Sequence, residues 1–270
     1  MNLLLQITKA CNLQCRHCHD SCGPDRTSMD AETLEVVVGN IPQGAKQIII
    51  SGGEPLVKPK LFWHAMDCIA ANRQNFPKAV LSLQTNGFWA KNTDAAYAIL
   101  KQLYEKGLDR LVLTGLDKYH AEQGIDLSSL SETESPFAYA MQRLGTPFTV
   151  IREVDNQGIM PFGRAKDLPA EEQAKKSQCE VPWGFDNHLT VDTSGQLYPC
   201  CWKATPSMGS AKDKSIENIL RNAKKNKIFH ALERGGPKEA AIKLDIYREQ
   251  DEQLYRHECR MCEEIFRGMK

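Results

Sequence analysis

Nine of the ten cysteines in this chain of 270 residues fall into two groups. Cys11, Cys15, Cys18 and Cys22 crowd the front, while Cys179, Cys200, Cys201, Cys259 and Cys262 lie in the last third. Cys68 stands alone between them. Thiolates are soft ligands, and clustered cysteines in a chain with no secretion signal point to metal or redox chemistry before disulfides. In the stretch CNLQCRHC, Cys11, Cys15 and Cys18 are separated by three and then two residues. Three thiolates can hold three irons of a four-iron cluster and leave the fourth iron open to an outside ligand. A structural zinc site completed by His17, His19 or Cys22 would use the same spacing.

The second group offers Cys179, then Gly195, Cys200 and, after a long gap, Cys259 and Cys262. Four soft ligands with no evident fifth suit a closed iron–sulfur cluster or a structural zinc, and both stay open on spacing alone. A glycine pair followed by a carboxylate, Ser51-Gly52-Gly53-Glu54-Pro55, permits close backbone approach and supplies an acceptor for an ammonium group. Arg152 and Arg164 could clamp a carboxylate bidentately, or stand simply as surface arginines. Gln84, Thr85, Asn86, Thr114, Asp117, Tyr119 and His120 are polar residues that read equally as ligand contacts or as caps and turns.

Those residues sit at the ends of regular elements. Apolar or β-branched runs at 3–8, 47–51, 79–85, 110–114 and 148–154 read as strands, and helical patterns occupy about 29–39, 58–74, 93–106 and 135–144. Alternation with short connections implies parallel strands joined by right-handed crossovers. The fold class is α/β, a partial (β/α)6 barrel, and the candidate polar residues fall at C-terminal strand ends, where such barrels keep their sites. The periodicity fades after about 155, where NQGIMPFGRAKDLP reads as loop, and a boundary near 170 divides a 1–170 barrel from a 171–270 appendage. Within the appendage, residues around Asp192-Thr193-Ser194-Gly195 signal a β-hairpin, and 214–234 and part of 238–256 read as basic helix.

Lysine plus arginine equal aspartate plus glutamate at 34 each, so no global field draws the chain to nucleic acid or anionic lipid. No stretch reaches the eighteen or so apolar residues of a membrane span, and the expected location is cytoplasmic.

The cysteine triad at the end of a first strand, with the glycine–glycine–glutamate motif one β/α unit later, resembles the signature of the radical S-adenosylmethionine superfamily. The resemblance implies a [4Fe-4S] cluster on Cys11, Cys15 and Cys18, whose open iron binds S-adenosylmethionine and drives its cleavage to a 5′-deoxyadenosyl radical. It also implies that Gly52, Gly53 and Glu54 receive the methionyl amino group. His17, where the family usually has an aromatic residue, would pack on adenine, and Thr85, Asn86, Thr114, Asp117 and Arg164 would join the cofactor pocket. The C-terminal spacing resembles a truncated SPASM, or Twitch, extension, which implies one auxiliary cluster, expected to be [4Fe-4S], on Cys179, Cys200, Cys259 and Cys262. The layout is similar to that of 2-deoxy-scyllo-inosamine dehydrogenases, small family members with one auxiliary cluster. An external low-potential electron donor such as flavodoxin or ferredoxin is implied as partner.

Two functions compete. One is oxidation of a small polar molecule, with Arg152 or His120 taking a proton and the auxiliary cluster accepting an electron. The other is maturation of a ribosomally made peptide by crosslinking, epimerisation or oxidation, and an epimerase would need a hydrogen-atom donor such as Cys201, Cys22 or Cys68. Many peptide maturases place a recognition domain ahead of the motif, whereas here it begins at Cys11, which favours the small molecule.

Overall fold

The computed structural model describes residues 1–145, 147–153, 159–174, 188–248 and 258–267. Five parallel strands form its frame: β1 (Asn2–Thr8), β2 (Gln47–Gly52), β3 (Val80–Thr85), β4 (Arg110–Leu113) and β5 (Thr149–Arg152). Leu3, Leu5, Ile7, Ile48, Ile50 and Leu83 have no exposed surface. Such near-continuous apolar runs are what a parallel sheet covered on both faces requires.

The covering helices are α1 (Ala31–Gly39), α2 (Pro59–Ala71), α3 (Thr93–Glu105), α4 (Lys118–Ala121), α5 (Ser128–Ser131) and α6 (Pro136–Leu144). Their starts are chemically marked. Asp30, Asn92 and Ser135 each accept a hydrogen bond from a first-turn backbone N–H of α1, α3 and α6, which satisfies donors that the helix itself leaves unpaired. Phe62, Met66 and Ile69 of α2 and Phe137 of α6 turn fully inward.

The remaining elements are β6 (His188–Val191), β7 (Gln196–Tyr198), β8 (Gly209–Ser210), α7 (Ile216–Lys225), α8 (Lys227–Lys243) and α9 (Glu258–Phe266). α8 is bent at Gly235 and Gly236, just ahead of Pro237. The eight strands form one sheet in the order β5-β4-β3-β2-β1-β6-β7-β8. β6 pairs parallel to β1, and β7 turns back antiparallel through the Asp192–Gly195 turn. The sixth parallel strand therefore comes from beyond residue 170, and the sheet runs across that position because the free edge of β1 takes up the hairpin. Among the described residues no helix is long and apolar enough to cross a membrane.

Candidate metal and cofactor site

The front cysteine loop is held by backbone contacts that only glycines permit. A Cβ at Gly52 would lie 2.2 Å from Thr8 O, and one at Gly53 would lie 2.4 Å from Ala10 O. Without them, Gly53 N donates to Thr8 O (2.8 Å) and Glu54 N to Ala10 O (2.9 Å), joining the end of β2 to the chain entering Cys11. A register shift in β1 between Gln6 and Thr8 re-aims the strand at this point. From the far side, Gly163 takes a left-handed φ of 54° and lies so close that a Cβ would meet His19 O at 2.3 Å. Arg164 then donates its backbone N–H to Cys18 O (3.1 Å) and its Nε–H to Cys15 O (3.0 Å).

The resulting cavity, at the C-terminal ends of β1 to β4, is lined by Cys11, Cys15, Cys18 and Cys22. Asp117, His120, Glu153 and Arg164 face them across it, with Gly52, Gly53, Asn86 and Thr114 contributing from the strand ends. Burial pushes the Cys11 thiol up to about 11 and the Cys15 thiol up to about 12. Cys18 is pushed down by hydrogen bonding from Cys22, whose own thiol is raised by giving that bond. A bound metal releases the remaining thiol protons. Arg164 Nη2 is buried and has no hydrogen-bond partner among the described residues. Soft donors converging on one cavity, beside an unpaired guanidinium donor, fit an iron–sulfur cluster with a carboxylate-bearing ligand.

Glu54 lies behind the glycine pair, with no exposed surface, and does not line the cavity. Its carboxylate accepts from Leu56 N (3.1 Å), Asn86 N (2.7 Å) and the Thr85 hydroxyl (3.0 Å to each oxygen). Burial outweighs these bonds and raises its pKa to about 7. Three donors on one carboxylate join the end of β2 to the end of β3 from behind the glycine pair. Thr85 is buried in that network, and Thr114 donates to its carbonyl (3.2 Å). Asn86 reaches forward, with its Nδ2 3.1 Å from Asn12 Oδ1.

Asp117 caps α4 through the backbone N–H groups of Tyr119 and His120 and holds His120 Nδ1 at 2.7 Å. Although burial acts to raise it, the hydrogen bond and charge of His120 keep the Asp117 carboxyl below its usual range. An ionised carboxylate only accepts, so Nδ1 is the donor in this pair and Nε2 points away from Asp117. His17 stacks on Tyr119 with ring centroids 4.7 Å apart, and burial lowers its pKa to about 4. Donor atoms of Cys15, His17 and His120 lie within 4.8 Å of one another.

Arg152 lies elsewhere. Its guanidinium sits 5.7 Å from the centre of the Phe137 ring, because successive strand residues point to opposite faces and the next residue, Glu153, takes the cavity side. Glu153, on the cavity wall, is a residue that sequence reasoning missed. Only the parity of β5 would have found it.

In the last third, Cys200, Cys201 and Cys259 are near enough for their charges to interact, and burial raises the Cys201 thiol to about 12. Cys201 thus belongs with the rear thiols and does not line the front cavity. Cys262 is buried one turn beyond Cys259 on α9. Cys179 lies outside the described residues. This soft donor set suits an iron–sulfur cluster. The two sites touch through Trp202, whose ring meets His19 at 4.8 Å and stacks on Phe162 at 5.4 Å. Lys203 reinforces that contact by reaching Asp20 (2.6 Å) and Gln6 (2.8 Å).

The radical SAM superfamily model matches residues 5–122, and the model of the SPASM iron–sulfur cluster-binding domain matches residues 179–263. A GTP 3′,8-cyclase of Helicobacter pylori J99 is 30% identical over 231 residues, covering 79% of this chain and 68% of the relative. A probable GTP 3′,8-cyclase of Pyrococcus abyssi is 34% identical over 133 residues, or 47% of this chain, and the match spans only 39% of that relative's length. Among solved structures, BtrN in complex with AdoMet and 2-DOIA superimposes with a TM-score of 0.56 at 17% identity, covering 91% of this chain and 92% of that one.

Proposed function

Because this chain belongs to the radical S-adenosylmethionine superfamily and carries a SPASM-type cluster-binding region, we propose that it oxidises a small polar molecule. The observation that carries the reading is the pairing, in one cavity, of the cysteine triad with the Asp117–His120 dyad and Glu153. When bound, a [4Fe-4S] cluster with S-adenosylmethionine supplies a 5′-deoxyadenosyl radical, and the auxiliary cluster supplies an electron acceptor. Cys11, Cys15 and Cys18 would hold the first. Cys200, Cys259 and Cys262, with Cys179, would hold the second, and 171–270 is the functional unit we assign to it.

The chain's own groups then have distinct tasks. Arg164 Nη2 binds the carboxylate of the methionyl group, since a buried donor without a partner favours a charged acceptor. The Gly52–Gly53 backbone and Asn86 shape the wall that receives its amino end, and Glu54 positions that wall from behind. His17 offers its ring to the adenine, while Thr114 and Asp117 stand where the ribose or substrate would lie. His120 Nε2 takes a proton from a substrate hydroxyl or amine, and Asp117 stabilises the imidazolium so formed. Arg152 has no task in this scheme, and Cys201, beside Cys200, is left as a neighbour of the auxiliary ligands. Relatives named GTP 3′,8-cyclase take a small polar molecule, which supports the same substrate class here.

The test is anaerobic reconstitution with iron and sulfide, followed by strong reduction with S-adenosylmethionine. The native protein should form 5′-deoxyadenosine, and the variant with Cys11, Cys15 and Cys18 changed to alanine should form none. Cleavage by that variant refutes the reading. Consumption of a ribosomal peptide, but of no small hydroxyl or amino compound, would replace the substrate class with a peptide.

A further inference from the structure

Cys68 takes no part in the cavity, and its neighbours give it a different chemistry. α2 carries His64 and Cys68 four residues apart, one helical turn and therefore one face. That face meets α1, which brings Glu35 alongside. His64 Nε2 lies 2.9 Å from Glu35 Oε1 and 3.6 Å from Cys68 Sγ, and the three donor atoms are all within 4.8 Å of one another. We propose that Glu35, His64 and Cys68 form a zinc(II) site on the outer surface of the barrel, separate from both cysteine groups, with its fourth position open to water.

Donor type and distance both support zinc. Zinc takes thiolate, imidazole and carboxylate together, whereas magnesium and calcium want oxygen alone. Bonds of about 2.0 Å to nitrogen and about 2.3 Å to sulfur, at a tetrahedral angle, set the two donors about 3.5 Å apart. The nitrogen–sulfur separation here is 3.6 Å. A nitrogen and an oxygen should lie about 3.3 Å apart, so Glu35 must withdraw slightly, which its 58% exposed side chain allows. The sulfur lies nearly between the two ring nitrogens, 3.6 Å from Nε2 and 3.9 Å from Nδ1, so the imidazole must turn to aim Nε2 at a shared metal. Zinc binding forms three protein–metal bonds, shifts the neutral His64 ring to the tautomer protonated on Nδ1, releases the Cys68 thiol proton to solvent and leaves a carboxylate and a thiolate to balance the two positive charges. It would also tie α1 to α2.

The experiment uses the anaerobically reconstituted holoenzyme, dialysed against a weak chelator and titrated with zinc ion by calorimetry. Iron and zinc are counted in parallel. One zinc per chain should bind with no loss of iron or of the cluster absorption, and zinc-edge X-ray absorption should report one sulfur ligand. Cys68→Ala and His64→Gln should each weaken binding by at least about 10-fold. His64→Gln keeps the helix and its exposure, so a fold defect in Cys68→Ala does not rescue the proposal. Native-like zinc affinity in His64→Gln, uptake only in exchange for iron, or no uptake by the native holoenzyme would each overturn it.

Discussion

Lys203→Met tests whether the link between the two halves is structural in an energetic sense. Lys203 Nζ is 2.6 Å from Asp20 Oδ1 and 2.8 Å from Gln6 Oε1, and Gln6 Nε2 closes the triangle at 2.6 Å from Asp20 Oδ2. The charged side chains are only 12% and 13% exposed, so water cannot replace the lost ammonium. Methionine keeps the stem and leaves the buried carboxylate with Gln6 Nε2 and His19 but without its ammonium partner. Removing one partner of such a pair costs roughly 3–5 kcal/mol, and the residual exposure favours the lower end. At about 2–4 °C per kcal/mol for a chain of this size, a loss of about 3 kcal/mol lowers the apparent melting temperature by roughly 6–12 °C. Circular dichroism of the anaerobic protein at neutral pH measures it, and Asp20→Asn in the same chain should recover much of the loss. The pH dependence follows from Asp20. Burial acts to raise its pKa, but His19 and Lys203 outweigh burial and hold it below the ordinary 3.8. The stability it contributes is thus present above that value and lost as pH falls through the folded-state pKa. The gap between native protein and variant should close on acidification. A shift under about 2 °C, or a double variant no better than Lys203→Met alone, refutes the reasoning.

Two further changes probe the cavity and the rear thiols. In Glu54→Gln the amide must face a buried backbone N–H, because Gly87 N and Trp89 Nε1 already occupy the Thr85 hydroxyl oxygen. One unmatched donor costs about 1–3 kcal/mol, and transmitted to Asn86 and the glycine pair it should weaken S-adenosylmethionine binding by up to about 150-fold. Equilibrium dialysis measures that, and lost stability with unchanged affinity would confine Glu54 to the fold. Changing Cys259 and Cys262 to alanine should leave 5′-deoxyadenosine formation but remove most oxidised product. A folded variant with full product yield would rule out an electron-accepting role for the rear site.

Local chemistry was enough to find the first five parallel strands, the capped helices and the glycine pair, since each is written in neighbouring residues, whereas β6 reads only as half of a hairpin until it pairs with β1. Leu3, Leu5 and Ile7 announce a buried strand wherever they are placed, and Gly52 and Gly53 announce a close backbone approach. The cysteine spacing likewise points to metal by residue type alone. What the sequence left open depends on register and on contacts between distant segments. Glu54 turns inward because Thr85 and Asn86 arrive at the end of β3 with matching donors. Glu153 rather than Arg152 reaches the cavity because β5 pairs Arg152 with Leu113 and so sets which parity faces inward. Lys203 meets Asp20 across 183 positions, and Glu35 meets His64 only because α1 packs on α2. A side chain's type and its period along the chain are properties of covalent neighbours. Which partner it faces is decided by the packing of the whole sheet and its helices, and that only the tertiary structure supplies.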